Sequence, residues 1–226
     1  MRGGFSPEQL EALRAIDTPT ISNAIELYKV RDRTEGFMGF DVKCQFPDLG
    51  VMLGYAVTAI CDNRPGPVAG RQAYFKWLEA IEQSPKPVIC VFQDVSPSRP
   101  HSCYFGEVMS NCAQKVGAIG LVTDGGVRDL AEAKALGFHY FSPGAVASHG
   151  NFAITQVGIP VTISGVTVTP GDLIHADRNG VLVIPDAVVE QLPDGVEQIR
   201  ARERRTLEYV HSPDFTLAGL VDIMSH

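Results

Sequence analysis

The chain has 226 residues, 45% of them apolar and 20% charged, with a formal net charge of −7; this describes a well-packed globular protein of one large domain or two small ones. An acidic balance excludes the basic face that displaces counterions from nucleic-acid phosphates, and no run reaches the roughly 18 apolar residues of a helical membrane span. A small anionic ligand stays open, because one buried arginine can set a local field against the global charge.

The opening stretch MRGGFSPEQLEALRAI has no apolar core of signal-peptide length, so a cytoplasmic protein is expected. No linker, charge block, low-complexity run or internal repeat divides residues 1–226, and a single domain is expected. The five cysteines, Cys44, Cys61, Cys90, Cys103 and Cys112, form no C-x-x-C pair. They read as reduced core thiols rather than as a disulfide framework or a zinc site.

In chain order, Ser6 is a candidate N-cap, with Pro7 at the first helical position and Gln9 three residues after the cap, so a helix starts there. TPTISNAIELY predicts a second, short helix. VMLGYAVTAIC predicts a buried strand, and GRQAYFKWLEAIEQS an amphipathic helix with Ala73, Trp77, Leu78 and Ile81 on one face. KPVICVFQD, GEVMSNCAQKVG, AIGLVTD and RDLAEAKALG then alternate strand, helix, strand, helix, the last ending at Gly137. After residue 139, β-branched residues alternate with the turn signals Pro170-Gly171-Asp172 and Arg178-Asn179-Gly180, which predicts short antiparallel or mixed strands. A charged helix from about Asp186 to Tyr209 closes the chain. The class is α/β with a layered sheet core rather than a doubly wound nucleotide fold.

Familiar catalytic motifs are missing: there is no G-x-G-x-x-G after a first strand, no phosphate loop, no nucleophile elbow and no H-E-x-x-H helix. The informative stretch is GAIGLVTDGGVRDLAEAKALGF, residues 117–138. It places Asp124, Arg128 and Asp129 at the carboxyl end of a strand, where open α/β sheets bind ligands. Arg128 offers a bidentate fork for a carboxylate, and Asp129 a hard oxygen suited to Mg²⁺ or Mn²⁺. Asp129 is also a good helix N-cap, and Glu132 three residues later would complete a capping box. Just upstream, YFGEVMSN begins a helix at Gly106 and Glu107, so the free backbone N–H groups over Gly106, Glu107, Val108 and Met109 can receive an anion. Glu107 and Arg128 have twenty residues between them, the length of one helix plus one strand; both loops can therefore reach the same sheet edge. Lys115 and Lys134 fall on helix bodies, which disfavours a Schiff base. His101 is either an anion contact or a solvated loop residue. Asp124 either supports Arg128 or a water, or is plain turn chemistry before Gly-Gly. His139, His149 and His175 read as packing or hydrogen-bonding residues.

These stretches, with TPTISNAI near the start and GVTVTPGDLIHADRNGVLVIP near the end, resemble the class II pyruvate aldolases of the 4-hydroxy-4-methyl-2-oxoglutarate aldolase type. Those enzymes share their fold with the regulator of ribonuclease activity A (RraA) proteins. The family signature is G-x-x-D, twenty residues and then R-D; here Glu107 stands where Asp is usual, and Tyr104, not Gly, stands three residues before it. The resemblance implies a β/β/α swivelling-domain-like sandwich and a Mg²⁺- or Mn²⁺-dependent lyase cleaving a 4-hydroxy-2-oxo acid to pyruvate, with oxaloacetate decarboxylation through the same enolate. It implies Asp129 as the metal ligand, Arg128 as the carboxylate anchor and Glu107 as the holder of the water that takes the C4 hydroxyl proton. It also implies a homotrimer or hexamer in which an acidic residue of a neighbouring subunit, with Glu203 as the counterpart here, approaches the site. The alternative is a non-catalytic regulatory trimer that binds a protein partner, as a ribonuclease E inhibitor does.

Overall fold

The structure is a computed structural model that describes residues 5–64 and 71–225. Met1–Gly4, part of the stretch read for a leader, and Gly70, the first residue of the expected third helix, lie outside the described residues. Helices α1 (Pro7–Arg14) and α2 (Thr18–Leu27) open the chain. The capping box on α1 is formed on both sides, with Gln9 N–H donating to Ser6 Oγ at 3.2 Å and Ser6 N–H to Gln9 Oε1 at 2.8 Å. Strands β1 (Lys43–Cys44) and β2 (Met52–Asp62) follow, then α3 (Arg71–Gln83), β3 (Val88–Asp94), β4 (Cys103–Phe105), α4 (Glu107–Lys115), β5 (Ala118–Thr123), β6 (Gly126–Val127), α5 (Leu130–Ala135) and β7 (His139–Ser142). The second half adds β8 (Ala153–Val157), β9 (Val161–Ile163), β10 (Val166–Val168), β11 (Leu173–Asp177), β12 (Gly180–Ile184), α6 (Leu192–Val210) and α7 (Leu217–Ser225).

The main sheet runs β1-β7-β5-β3-β2-β11-β12, with β8 also paired to β2. Its centre, β7-β5-β3-β2, is parallel, as the strand–helix alternation requires, and β11, β12 and β8 join antiparallel. Side chains alternate across this sheet. Val57, Cys90, Leu121 and Tyr140 stand in one cross-strand row against α3 and α4. In the next row Val91, Val122 and Phe141 turn the other way and pack with the β9–β10 hairpin. On the helical face Leu53, Tyr55 and Leu182 meet α1, α2 and α6. Hairpin, sheet and helices make a β/β/α sandwich, the layered α/β core that the strand pattern predicts and the arrangement that the family resemblance implies.

Two differences from the sequence reading are local. The closing helix is split: residues Asp186–Gln191 form a 3₁₀ segment, and α6 begins only at Leu192, because Pro193 lacks a backbone donor and fits only the first turn of an α-helix. Helix α7, the two-residue strands β1 and β6 and the three-residue strand β4 were not expected, being too short or too weakly patterned to show a period. All five thiols are free; Cys61, Cys90 and Cys103 lie in the core as expected, while Cys44 and Cys112 are only half-buried. Among the described residues no helix is long and apolar enough to cross a membrane.

Candidate active site

The parallel strands β5 and β3 end side by side, at Thr123 and Asp94, and the loops that leave them build the site. The segment after β3 returns as β4 and pairs in parallel with β6, with Phe105 opposite Val127. Arg128 N–H donates to the Phe105 carbonyl at 2.9 Å and Gly126 N–H to that of Ser102 at 3.0 Å. The offset of the last pair, twenty-two residues, carries on past the ladder: Glu107 N–H donates to Asp129 Oδ2 at 2.9 Å. This small ladder converts the sequence spacing of Glu107 and Arg128-Asp129 into physical contact.

Asp129 does not cap its own helix. It occupies the N-cap position of α5, but with φ +52° and ψ +48° and no side-chain cap bond, so the capping-box reading with Glu132 is corrected. The left-handed backbone turns the carboxylate away from the α5 amides and onto the first amide of α4, where the free N–H groups and the helix dipole favour a negative charge. Arg128 Nε lies 3.5 Å from the same oxygen, with a side chain 38% exposed. Gly106, buried under both, has no room for a side chain: a methyl there would overlap the Asp129 carboxylate and come within 3.0 Å of Arg128 Cγ. Of the amides expected to receive an anion, that of Glu107 is therefore taken by Asp129. Those of Val108 and Met109 lie in the first turn of α4, where no preceding helical carbonyl can reach them. Glu107 is the exposed first residue of α4.

Asp124 sits behind this surface, with only 4% of its side chain exposed, and pairs with Arg99 Nη1 at 3.1 Å rather than with Arg128. It also accepts the Asp94 N–H at 2.7 Å. Burial pushes the Asp124 carboxyl above its ordinary pKa, against the lowering by that amide and Arg99. Asp94 itself is fully buried and accepts bonds from Ser96 N–H (2.8 Å), Tyr104 OH (2.9 Å) and Ser102 Oγ. This polar network anchors β4. Asp94 and Arg99 escaped the sequence reading, although Asp94 ends its strand as Asp124 nearly ends the next, the position that marked Asp124.

A cavity of about 510 Å³ opens beside Gly106, Val108, Met109 and Arg128. Tyr74 and Phe75 of α3 line it together with Tyr104, His149 and Phe152. His149, which lacked any spacing signal, lines this cavity. His101, in an exposed 3₁₀ turn, does not. Glu203 faces a different depression, shared with Asn23, Arg33 and Met224, so it can meet the Arg128 cavity only by coming from another copy. Lys134 is paired with Asp48 at 2.9 Å, away from the cavity.

Among the described residues no three His, Cys, Asp or Glu side chains converge as a metal cage. The Asp129 oxygen not held by the Glu107 N–H is one hard donor and, with the exposed Glu107 starting the adjoining helix, makes a sparse hard-oxygen set. It fits a cation that keeps most of its waters, such as Mg²⁺ or Mn²⁺, and not a structural zinc.

Among known proteins, the chain matches the RraA-like family, described as Aldolase/RraA, over residues 12–183. It is 36% identical over 122 residues to a protein of Halalkalibacterium halodurans named "Putative 4-hydroxy-4-methyl-2-oxoglutarate aldolase", the match covering 54% of this chain and 58% of that one. A protein of the same name from Ectopseudomonas mendocina is 37% identical over 90 residues, 37% of this chain and 52% of its own length. The matches thus span little more than half the length of these relatives. In three dimensions the chain is similar to an uncharacterized Pseudomonas syringae protein, with a TM-score of 0.75 at 22% identity and coverage of 100% and 97% of the two chains. It is also similar to Streptomyces coelicolor RraAS2, described as an unusual member of the RNase ES inhibitor RraA family, with a TM-score of 0.69 at 22% identity and coverage of 91% and 98%. The profile match spans well over half of the chain and includes the β4–β6 ladder with Glu107, Arg128 and Asp129: the protein belongs to the RraA-like, Aldolase/RraA family.

Proposed function

We propose that the protein is a divalent-metal-dependent carbon–carbon lyase that cleaves a 4-hydroxy-2-oxo acid to pyruvate and a carbonyl product, and that it also decarboxylates oxaloacetate. The observation that carries this reading is the joining of the Glu107 amide, Arg128 and Asp129 at one helix N-terminus, with Arg128 also on the wall of a half-open cavity. The relatives' aldolase name supports the same reaction class.

Arg128 binds the C1 carboxylate through its planar fork, and the amides of Val108 and Met109 orient the substrate oxygens at the helix end. Asp129 would hold Mg²⁺ or Mn²⁺, with waters and the substrate completing its shell. When bound, the ion supplies Lewis-acid polarisation of the 2-oxo acid. Glu107 holds the water that accepts the C4 hydroxyl proton; the C3–C4 bond then breaks, its electron pair forms the pyruvate enolate, and protonation at C3 gives pyruvate. Arg128 stays opposite the developing negative charge throughout. The aromatic walls limit water around the enolate. We also propose that the chain assembles as a homotrimer or hexamer, which is the arrangement that would let Glu203 of one copy approach the cavity of the next.

The test is pyruvate release from oxaloacetate and from 4-hydroxy-4-methyl-2-oxoglutarate, followed with a coupled lactate dehydrogenase, in EDTA and after adding back Mg²⁺ or Mn²⁺. Activity lost in chelator and restored by metal is expected, because one or two carboxylates hold such an ion weakly. Full turnover in EDTA refutes the metal role. No turnover of these acids or of an analogue uncharged at C4, with or without metal, favours a binding protein instead.

A further inference from the structure

The cavity next to Arg128 has a composition that the proposed reaction does not require. If Arg128 takes the C1 carboxylate, whatever the substrate carries on C4 must enter the remaining space, and that space is aromatic. Tyr74 and Phe75 line it, their ring centroids 5.7 Å apart. Phe152, also in the lining, meets Tyr104 edge-on at 6.4 Å and His149 at 6.0 Å. The hydroxyls on these rings are turned to other work: Tyr104 OH is bonded to Asp94 and Ser96, and the Tyr74 hydroxyl lies against Cys112, its pKa raised mainly by burial. Among the described residues the second cation on the cavity wall, Arg71, is the exposed first residue of α3.

From this we infer that the protein is selective for 4-hydroxy-2-oxo acids whose C4 substituent is apolar and preferably aromatic, rather than a second carboxylate. The inference rests on the lyase reading of the same site. A carboxylate on C4 would lose hydration among the rings of this half-open space, where among the described residues only the exposed Arg71 and His149 stand apart from Arg128 to replace it, which is costly. An aryl group would gain aromatic contacts from the lining rings and lose unfavourable hydration. The volume, about 510 Å³, lies within the range that encloses small organic ligands.

The experiment compares 4-hydroxy-2-oxo-4-phenylbutanoate, which yields benzaldehyde and pyruvate, with 4-hydroxy-4-methyl-2-oxoglutarate, both with Mg²⁺. Deuterium exchange of the pyruvate methyl group, read by NMR, serves as a control for the Arg128 chemistry because pyruvate has no C4. We expect kcat/KM for the phenyl substrate to exceed that for the dicarboxylate by about tenfold or more. Phe75→Ala and Phe152→Ala should each lower that ratio about tenfold, mainly through KM for the phenyl substrate. Phe75 is more than half exposed, so its truncation should leave the fold intact. Exchange with equal or reversed selectivity overturns the inference while leaving the lyase reading standing. Dicarboxylate preference that disappears in Arg71→Met would do so and assign Arg71 to the distal carboxylate. Absence of exchange and of all pyruvate release overturns both.

Discussion

Arg128 is held by its backbone as well as aimed by its side chain. Its N–H completes the β4–β6 ladder on the Phe105 carbonyl, while its guanidinium reaches the Asp129 carboxylate, itself fixed by the Glu107 amide. A lysine at this position would keep the charge and the backbone bond but lose the fork that matches a carboxylate. We therefore expect Arg128→Lys to lower kcat/KM for pyruvate release by about 10²-fold or more, on the order of 3 kcal/mol of transition-state contact, with the circular dichroism spectrum and melting temperature near those of the parent. Near-parent kinetics would make Arg128 a structural surface residue. Asp129 depends on conformation as well as on charge: its positive φ, in the left-handed region that only a few non-glycine residues tolerate, directs its carboxylate away from its own helix.

At the scale of elements, the site is a product of one close approach, α4 against the β6–α5 turn, across Gly106. The backbone of Gly106 is extended, with φ −151°, so an alanine would not strain it. The obstacle is the Asp129 carboxylate and the Arg128 side chain lying where the methyl must go. Gly106→Ala is expected to separate α4 from this turn, breaking the Glu107–Asp129 bond. Pyruvate release should fall by 10²-fold or more, because displacements of this size at reacting groups are costly. The accompanying loss of stability should be about 1–3 kcal/mol, measured by urea unfolding. Parent-level activity in this variant would show that the Glu107–Asp129 contact is dispensable. The polar network of Asp94, Ser96, Ser102, Tyr104 and Asp124 plays the supporting part from behind, fixing β4 to the ends of β3 and β5.

For the molecule as a whole, two buried histidines set a pH limit on stability. His175 is enclosed between Thr18 Oγ1, at 2.9 Å from Nδ1, and the Leu13 carbonyl, at 3.1 Å from Nε2, and burial lowers its pKa below 6.5. His139, with Nε2 3.1 Å from the Gly50 carbonyl, is lowered for the same reason. In the unfolded chain both titrate near 6.5, so below that pH the unfolded state binds more protons and stability falls with falling pH, by up to about 1.4 kcal/mol per pH unit for each histidine. Urea unfolding at pH 7 and pH 5.5 should show this decline, and His175→Gln should flatten it even though the variant is less stable at neutral pH. A pH-independent midpoint would contradict the buried neutral state. Assembly is tested by sedimentation: trimers or hexamers are expected, and a fully active monomer would remove any part for Glu203, which does not line the cavity of its own chain.

Local chemistry was enough to determine α1 with its capping box, the β3–α4–β5–α5 succession and the turns at Gly171 and Gly180, because caps, periodicity and positive-φ glycines act within a few residues. The Glu107 to Arg128-Asp129 spacing already predicted that these groups share a sheet edge. The contact itself was decided only by tertiary structure. It depends on the pairing of two strands too short to have a pattern, β4 and β6, and on a left-handed Asp129 that gives up its own helix to serve another. The pairing of Asp124 with Arg99, the burial of Asp94 and the aromatic walls from α3 and the segment leading into β8 were likewise beyond local reading. Each joins residues tens of positions apart whose types fit an ordinary turn, strand end or core, and only packing reveals which neighbours satisfy a buried charge or enclose a cavity.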